Sequence, residues 1–271
     1  MFFDLHIHTN HSDGLYSPNE VVDLAIEKNL KGIAITDHDT VTGIEIALEY
    51  GKKHNDFIII PGIEFSCIFE DEEVHILGYF IDYKNKELID LTNTLRKSRW
   101  NRGIDMIKKV NELGMTLTLE DVMEFSGKGY IGRPHIARAM IKKGYISNVS
   151  EGFDKFLDRG KPAYVDRYKI SVGEIISLIK NIGGISILAH PGLLKNKEII
   201  DYCISLDING LECIHSKHSE EDTNLLMNIA KRNNLIITGG SDFHGDSKDG
   251  KELLGNYFIN IDDNPKFKER I

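Results

Sequence analysis

The chain has 271 residues, of which 41% are apolar and 28% charged, and 33 basic against 42 acidic side chains give a net charge of −9. This is the length of one α/β barrel with insertions and the composition of a soluble globular protein, which excludes disordered and fibrous classes. The acidic balance weighs against wrapping duplex DNA, and no stretch approaches the roughly 18 apolar residues of a membrane span. With no basic segment ahead of an apolar run at the N-terminus, the cytoplasm is the default compartment. Cys67, Cys203 and Cys213 lack C-x-x-C spacing and read as reduced core thiols. The oligomeric state stays open.

The first expected strand, 2–7, runs into "FFDLHIHTNHSD", where His6 and His8 leave the same face of an extended chain and Asp4 and Asp13 accompany them. Asp4 is a candidate acceptor for one of these imidazoles, or an ordinary strand-end aspartate. Ser17-Pro18-Asn19-Glu20 is a capping box with proline at the first helical position, followed by the apolar stripe Val22, Ala25, Ile26. A strand at 33–36 ends in "ITDHDT", which carries His38, and Thr42 to Glu45 repeats the capping spacing. Strand 57–60 and a hairpin of 63–69 with 73–80 bring in Glu64 and His75. Between residues 86 and 165 the strand signal gives way to helical segments, two of them closed by glycine at the C′ position. Ser171 to Glu174 caps another helix, and strands at 185–189, 210–214 and 235–239 end in His190, His215 and "GGSDFHG", with Asp242 and His244.

Nearly continuous apolar runs ("GIAIT", "FIII", "GISILA", "LIITG") alternating with helices predict buried parallel strands. The fold class expected is α/β, a distorted seven-stranded (β/α) barrel with an inserted helical subdomain; an open doubly wound sheet is the runner-up. Residues 1–85 and 166–271 form the barrel, and 86–165 an insertion covering its mouth. The strand ends form one rim, where such folds build active sites. His54, His11 and His218 read singly as ordinary hydrogen-bonded histidines. Independent surface histidines have no reason to choose the same end of every strand, and imidazole and carboxylate are the shared ligands of zinc, manganese and iron, at roughly 2 Å. The segment "GKGYIGRPHIAR" adds Lys128, Arg133 and His135, with Arg138 a turn beyond, for an anion. Taken alone, Lys128 reads equally as part of a solvated loop. Trp100, in "RKSRWNR", reads as a solvated face or as a contact for a nucleotide base.

The motifs "DLHIHTNHSDG", "ITDHDT", "GIEFS", "VHILGY", "GRPHIAR", "LAHPG" and "GGSDFHG" resemble, in order and over almost the whole chain, those of the PHP (polymerase and histidinol phosphatase) family, in its branch that hydrolyses nucleoside phosphates. The resemblance implies a trinuclear centre of divalent ions, manganese, zinc or iron. His6, His8, Glu64 and Asp242 would hold the first; Glu64 would bridge to a second held also by His75 and His190; Asp13, His38 and His244 would hold the third. Two such ions sharing a water lower its pKa to about 7, so the expected reaction is hydroxide attack on a small phosphate monoester. Glu64 is central to it, and His215 or His218 is the candidate proton donor to the leaving oxygen. Lys128, Arg133 and His135 would bind substrate. The substrate expected is a nucleoside monophosphate, a nucleoside 3′,5′-bisphosphate or a short oligonucleotide, with neither duplex DNA nor membrane as partner. Histidinol-phosphate hydrolysis and a nuclease or proofreading-type module are the alternatives.

Overall fold

The computed structural model describes residues 1–54, 56–126, 130–245 and 253–271. In chain order the strands are β1 (Phe2–Ile7), β2 (Gly32–Ile35), β3 (Ile58–Phe69), β4 (Glu72–Tyr79), β5 (Ile185–Leu188), β6 (Gly210–His215), β7 (Ile236–Gly240) and β8 (Ile259–Asn260). The helices around them are α1 (Pro18–Glu27), α2 (Ile44–Gly51), α3 (Lys86–Glu112), α4 (Leu119–Met123), α5 (Arg133–Lys142), α6 (Val149–Gly152), α7 (Val172–Asn181), α8 (Glu198–Ser205), α9 (Glu220–Arg232) and α10 (Pro265–Lys268). A π-helical turn, Phe153–Leu157, continues α6.

The sheet runs β7-β6-β5-β4-β3-β2-β1-β8. β1, β2 and β3 are parallel, β4 is antiparallel to both β3 and β5, and β5, β6 and β7 are parallel again. The two ends of the sheet meet beyond β1 and β7: the His8 amide donates to the Phe243 carbonyl (2.9 Å) and the Phe243 amide to that of His6 (3.3 Å). A nearly closed barrel results. The reversed β4 follows from the short connection after β3, which has room for a hairpin but not for a crossover helix.

Among the described residues the sheet has eight strands instead of seven. The segments read as 57–60 and 63–69 are one strand of 12 residues passing through Pro61 and Gly62. β8 is two residues long, pairs with Phe2 and Phe3, and is too short to leave a periodic signal. The capping spacing works at Ser17 and Ser171, where both reciprocal bonds are present. It fails at Thr42: the N-cap of α2 is Gly43, which has no side chain to cap with, while the Thr42 hydroxyl bonds His11 Nδ1 (2.8 Å) and the Glu45 carboxylate accepts from Lys84 (2.7 Å).

Phe3, Leu5, Ala34, Ile60, Leu77, Tyr79 and Ile187 form one buried apolar cluster, and the strands pack against α1, α2, α7, α8 and α9 through another. β2 and β5 are buried along their whole length, as runs covered on both faces must be. The helices between β4 and β5 have a core of their own, with Met106, Ile107 and Val110 of α3 against Ile136, Ala137 and Met140 of α5. Trp100 packs against that core. No helix among the described residues is long and apolar enough to cross a membrane.

Barrel closure leaves no room at Gly240, where a Cβ would lie 2.4 Å from His6 Cβ and 2.5 Å from the His6 backbone nitrogen. The neighbour is main chain and has nowhere to go. Gly240→Ala is therefore expected to destabilise the protein by about 1–3 kcal/mol and to displace His6. A urea midpoint equal to that of the parent would contradict this.

Candidate metal centre

β1 delivers His6 and His8 to the rim, and both are fully buried. Opposite them stands Glu64 of β3, also buried, and its two oxygens face different imidazoles. Oε2 lies 3.3 Å from His6 Nε2, 3.3 Å from His8 Nε2 and 2.9 Å from His38 Nδ1. Oε1 lies 2.8 Å from His75 Nδ1 and 3.1 Å from His190 Nε2. Asp242 Oδ1 lies 3.2 Å from His8 Nε2 and 3.6 Å from His6 Nε2. Asp13 lies 3.3 Å from His244 Nε2 and 4.0 Å from His38 Nε2. All nine side chains expected from the sequence thus meet at one rim. Two of them, His190 (φ 31°) and Asp242 (φ 54°), are non-glycine residues in the left-handed region, a strained backbone that tends to mark functional sites.

Many of these contacts lack hydrogen-bond geometry. Among the described residues His6 Nε2, His8 Nε2, Asp13 Oδ1, His38 Nδ1 and Glu64 Oε2 are buried polar atoms without a hydrogen-bond partner. Leaving such atoms unsatisfied costs about 1–3 kcal/mol each, and here they share the spaces between them. Within each of the sets His6-His8-Glu64-Asp242, His8-Asp13-His38-His244 and His38-Glu64-His75, the ligand atoms lie within 4.8 Å of one another. Divalent cations fit this donor set: imidazole and carboxylate, buried and converging.

Electrostatics agree. Burial pushes the His8 imidazole down, but the Asp242 and Glu64 carboxylates beside it carry it up to about 10. His75 is likewise disfavoured by burial yet raised to about 9 by Glu64 and Glu73. Despite burial, Glu64, Asp13 and Asp242 are held well below the ordinary carboxylate range by the surrounding imidazoles.

Glu212 of β6 is a residue the sequence reading missed. Its Oε1 accepts from His6 Nδ1 (2.9 Å) and its Oε2 from the His190 amide (2.8 Å), so it fixes one ring, with Nε2 turned to the rim, and the backbone of another. Asp4 plays a different part from either sequence reading, accepting from the amides of Ser241 (2.9 Å), His6 (3.3 Å) and Gly255 (3.3 Å). Glu212→Gln is expected to weaken metal binding about 10–100-fold, as read by competition with a chelator; unchanged affinity would show that Glu212 does not orient His6.

A cavity of about 230 Å³ opens over the rim, walled by Asp13, His38, Glu64, His75, His190, Asp242 and His244 below and by Arg99, Arg133 and Phe153 above. Arg99 of α3 ties the helical segment to the rim through Asp39 and the Ser66 hydroxyl (2.7 Å). Arg133 lines the cavity, with Nη1 on Asp158 (2.9 Å) and Nη2 on Glu73 (3.1 Å). The remaining candidates lie elsewhere. His135 is fully buried and its Nδ1 accepts the Gly132 amide (3.1 Å), so its ring caps α5 and does not line the cavity; burial pushes it down to about 4. His218 donates from Nδ1 to the Cys213 carbonyl (2.9 Å) and accepts the Gly192 amide at Nε2 (3.1 Å), so both its nitrogens are engaged. His215 accepts the Lys217 amide at Nδ1 (3.2 Å), which leaves its proton on Nε2, 3.5 Å from Asp242 Oδ2. It is buried behind Asp242 and does not line the cavity. Lys128 lies outside the described residues.

The PHP domain matches residues 4–237, and the chain belongs to that family. It is a metal-dependent phosphoesterase, a hydrolase. It is 30% identical to the 5'-3' exoribonuclease Rnm of Salmonella typhimurium over 250 residues, 90% of this chain and 85% of that protein. It is 29% identical to the 3',5'-nucleoside bisphosphate phosphatase of Chromobacterium violaceum, over 92% of this chain and 90% of the relative. Among solved structures, a chain from Bifidobacterium adolescentis described as a metal-dependent phosphoesterase superposes with a TM-score of 0.90 at 31% identity, covering 99% of this chain and 96% of that one.

Proposed function

We propose that the chain hydrolyses the phosphate monoester of a small nucleotide, a nucleoside monophosphate or 3′,5′-bisphosphate, with three divalent ions of manganese, zinc or iron. His6, His8, Glu64 and Asp242 would hold one ion, Glu64, His75 and His190 a second, and Asp13, His38 and His244 the third. The observation that carries this reading is Glu64, whose two oxygens face separate imidazole sets (2.8–3.3 Å) from the centre of the rim. When bound, the ions act as Lewis acids on the phosphoryl oxygens and make water acidic enough to attack at neutral pH.

The protein's own groups do the rest. Glu212 holds His6 in orientation, His215 stands against Asp242 (3.5 Å), and Arg133 offers a planar cation to the phosphate. The helices within 86–165 serve as an insertion between barrel segments 1–85 and 166–271; their separate core and their contribution of Arg99, Arg133 and Phe153 to the cavity support this division.

A second reading is exonucleolytic release of nucleotides from a 5′-phosphorylated RNA. The net charge of −9 argues against a nuclease, but the exoribonuclease named among the relatives argues for one. The arginines over the cavity, not the charge of the whole chain, meet the substrate. Phosphate release from nucleoside monophosphates, a nucleoside 3′,5′-bisphosphate, a 5′-phosphorylated oligoribonucleotide and histidinol phosphate, each with manganese, zinc and iron, tests the proposal. The nucleotides should be cleaved at least tenfold more efficiently than histidinol phosphate. A preference for histidinol phosphate, or no release from any nucleotide, would overturn it, and nucleotide products from the RNA alone would favour the second reading.

A further inference from the structure

Glu73 sits two residues before His75 on β4, so both side chains leave the same face of the strand. Its carboxylate serves three groups. Oε1 accepts from His75 Nε2 (2.9 Å), Oε2 accepts from Arg133 Nη2 (3.1 Å), and Arg167 is paired with Oε1 as well. Both arginines come from outside the metal rim, Arg133 from the first turn of α5 and Arg167 from the segment ahead of α7. Each is largely buried, with 16% and 8% of its side chain exposed, so neither swings freely in solvent. Arg133 is held further by Asp158 and by the Phe153 ring, 5.1 Å from its guanidinium carbon.

On the other side of the imidazole, His75 Nδ1 lies 2.8 Å from Glu64 Oε1. With Nε2 donating to Glu73, Nδ1 is the nitrogen His75 turns to Glu64 and the rim, where it would bind a cation. A carboxylate behind a ligating histidine fixes tautomer and ring orientation. Here the same carboxylate also holds two arginines, of which Arg133 lines the cavity.

We infer that Glu73 is a positioning residue that locks the tautomer of His75 and the direction of Arg133 together, so that the part of the site that holds metal and the part that grips the phosphate are aligned as one unit. The inference rests on the proposed metal-dependent hydrolysis. Glutamine cannot replace Glu73, because its single carbonyl oxygen accepts from one side while its NH2 group faces another donor. One of the two alignments is then lost.

The test uses the full chain with Mn²⁺ as probe, in the parent, Glu73→Gln, Arg133→Ala and the double variant. One reading is Mn²⁺ affinity by chelator competition; the other is kcat and KM on a nucleoside 3′,5′-bisphosphate. Glu73→Gln should weaken at least one Mn²⁺ site about 10–100-fold and raise KM. The double variant should have a KM close to that of the worse single variant, since both changes disturb the same arginine. Glu73→Asp, which keeps the charge, should recover part of both effects, and it decides by the same two readings should the glutamine variant not fold. Unchanged Mn²⁺ affinity together with multiplicative effects on KM would overturn the inference, leaving Glu73 as a clamp between helices and barrel. If the parent releases no phosphate, the functional reading fails, and the Mn²⁺ measurement still decides whether Glu73 orients His75.

Discussion

Glu64→Gln should lower turnover about 100- to 1000-fold, the scale on which a preorganised group at a reacting centre acts. Glu64 is fully buried, and His6, His8, His38, His75 and His190 all lie within 3.3 Å of its oxygens. Glutamine keeps the volume but turns an NH2 group toward imidazoles that need a negative partner. It also removes the group proposed to join two ions, so the loss should appear in metal content as well as in rate. Steady-state kinetics alongside elemental analysis of the same preparation checks this. Near-normal turnover with full metal content would show that Glu64 bridges nothing.

Arg133→Ala carries the second large expectation, a loss of about 2–4 kcal/mol, or about 30- to 1000-fold in kcat/KM, the range of a charge-assisted contact removed from a partly dehydrated site. The terminal nitrogens of Arg133 rest on Asp158 and Glu73 (2.9 and 3.1 Å), contacts that take two of the five N–H donors of its guanidinium and hold the cation at the cavity wall before substrate arrives. A rise in KM alone would mean that Arg133 grips ground and transition states alike; a fall in kcat would mean that it meets developing charge. Lysine should rescue only part, since an ammonium lacks the planar fork. Metal content should be unchanged, because Glu73 keeps Arg167 as a partner. An alanine variant as efficient as the parent would place the phosphate grip elsewhere on the rim.

Most of the rim was legible because a barrel gives strand ends a common destination: histidines and carboxylates that follow separate apolar runs must meet there. The partners behind them were hidden for different reasons. Glu212 lies in the apolar run "GLECI", and the available signal was energetic, since a carboxylate in a strand buried on both faces must have a buried partner. Glu73 belongs to the acidic run at 70–73, which reads as a solvated turn; only the pairing of β3 with β4 turns it toward His75 and the arginines. His135 was misplaced because the spacing Gly132-x-x-His135 serves the helix start, drawing the ring back onto the Gly132 amide. β8 gave no signal because two residues of pairing have no period, and Thr42 was read as a cap although its hydroxyl is taken by His11.

The metal content of the purified chain bears most directly on the proposed centre. Protein loaded with manganese, freed of excess metal and analysed by elemental mass spectrometry should hold close to three ions per chain at neutral pH. Loading should release protons, since His8 and His75, raised to about 10 and about 9 in the absence of metal, must give theirs up. Affinity should therefore rise with pH through that range and fall as the solution is acidified. A ceiling of one ion per chain across this pH range would contradict the trinuclear arrangement around Glu64.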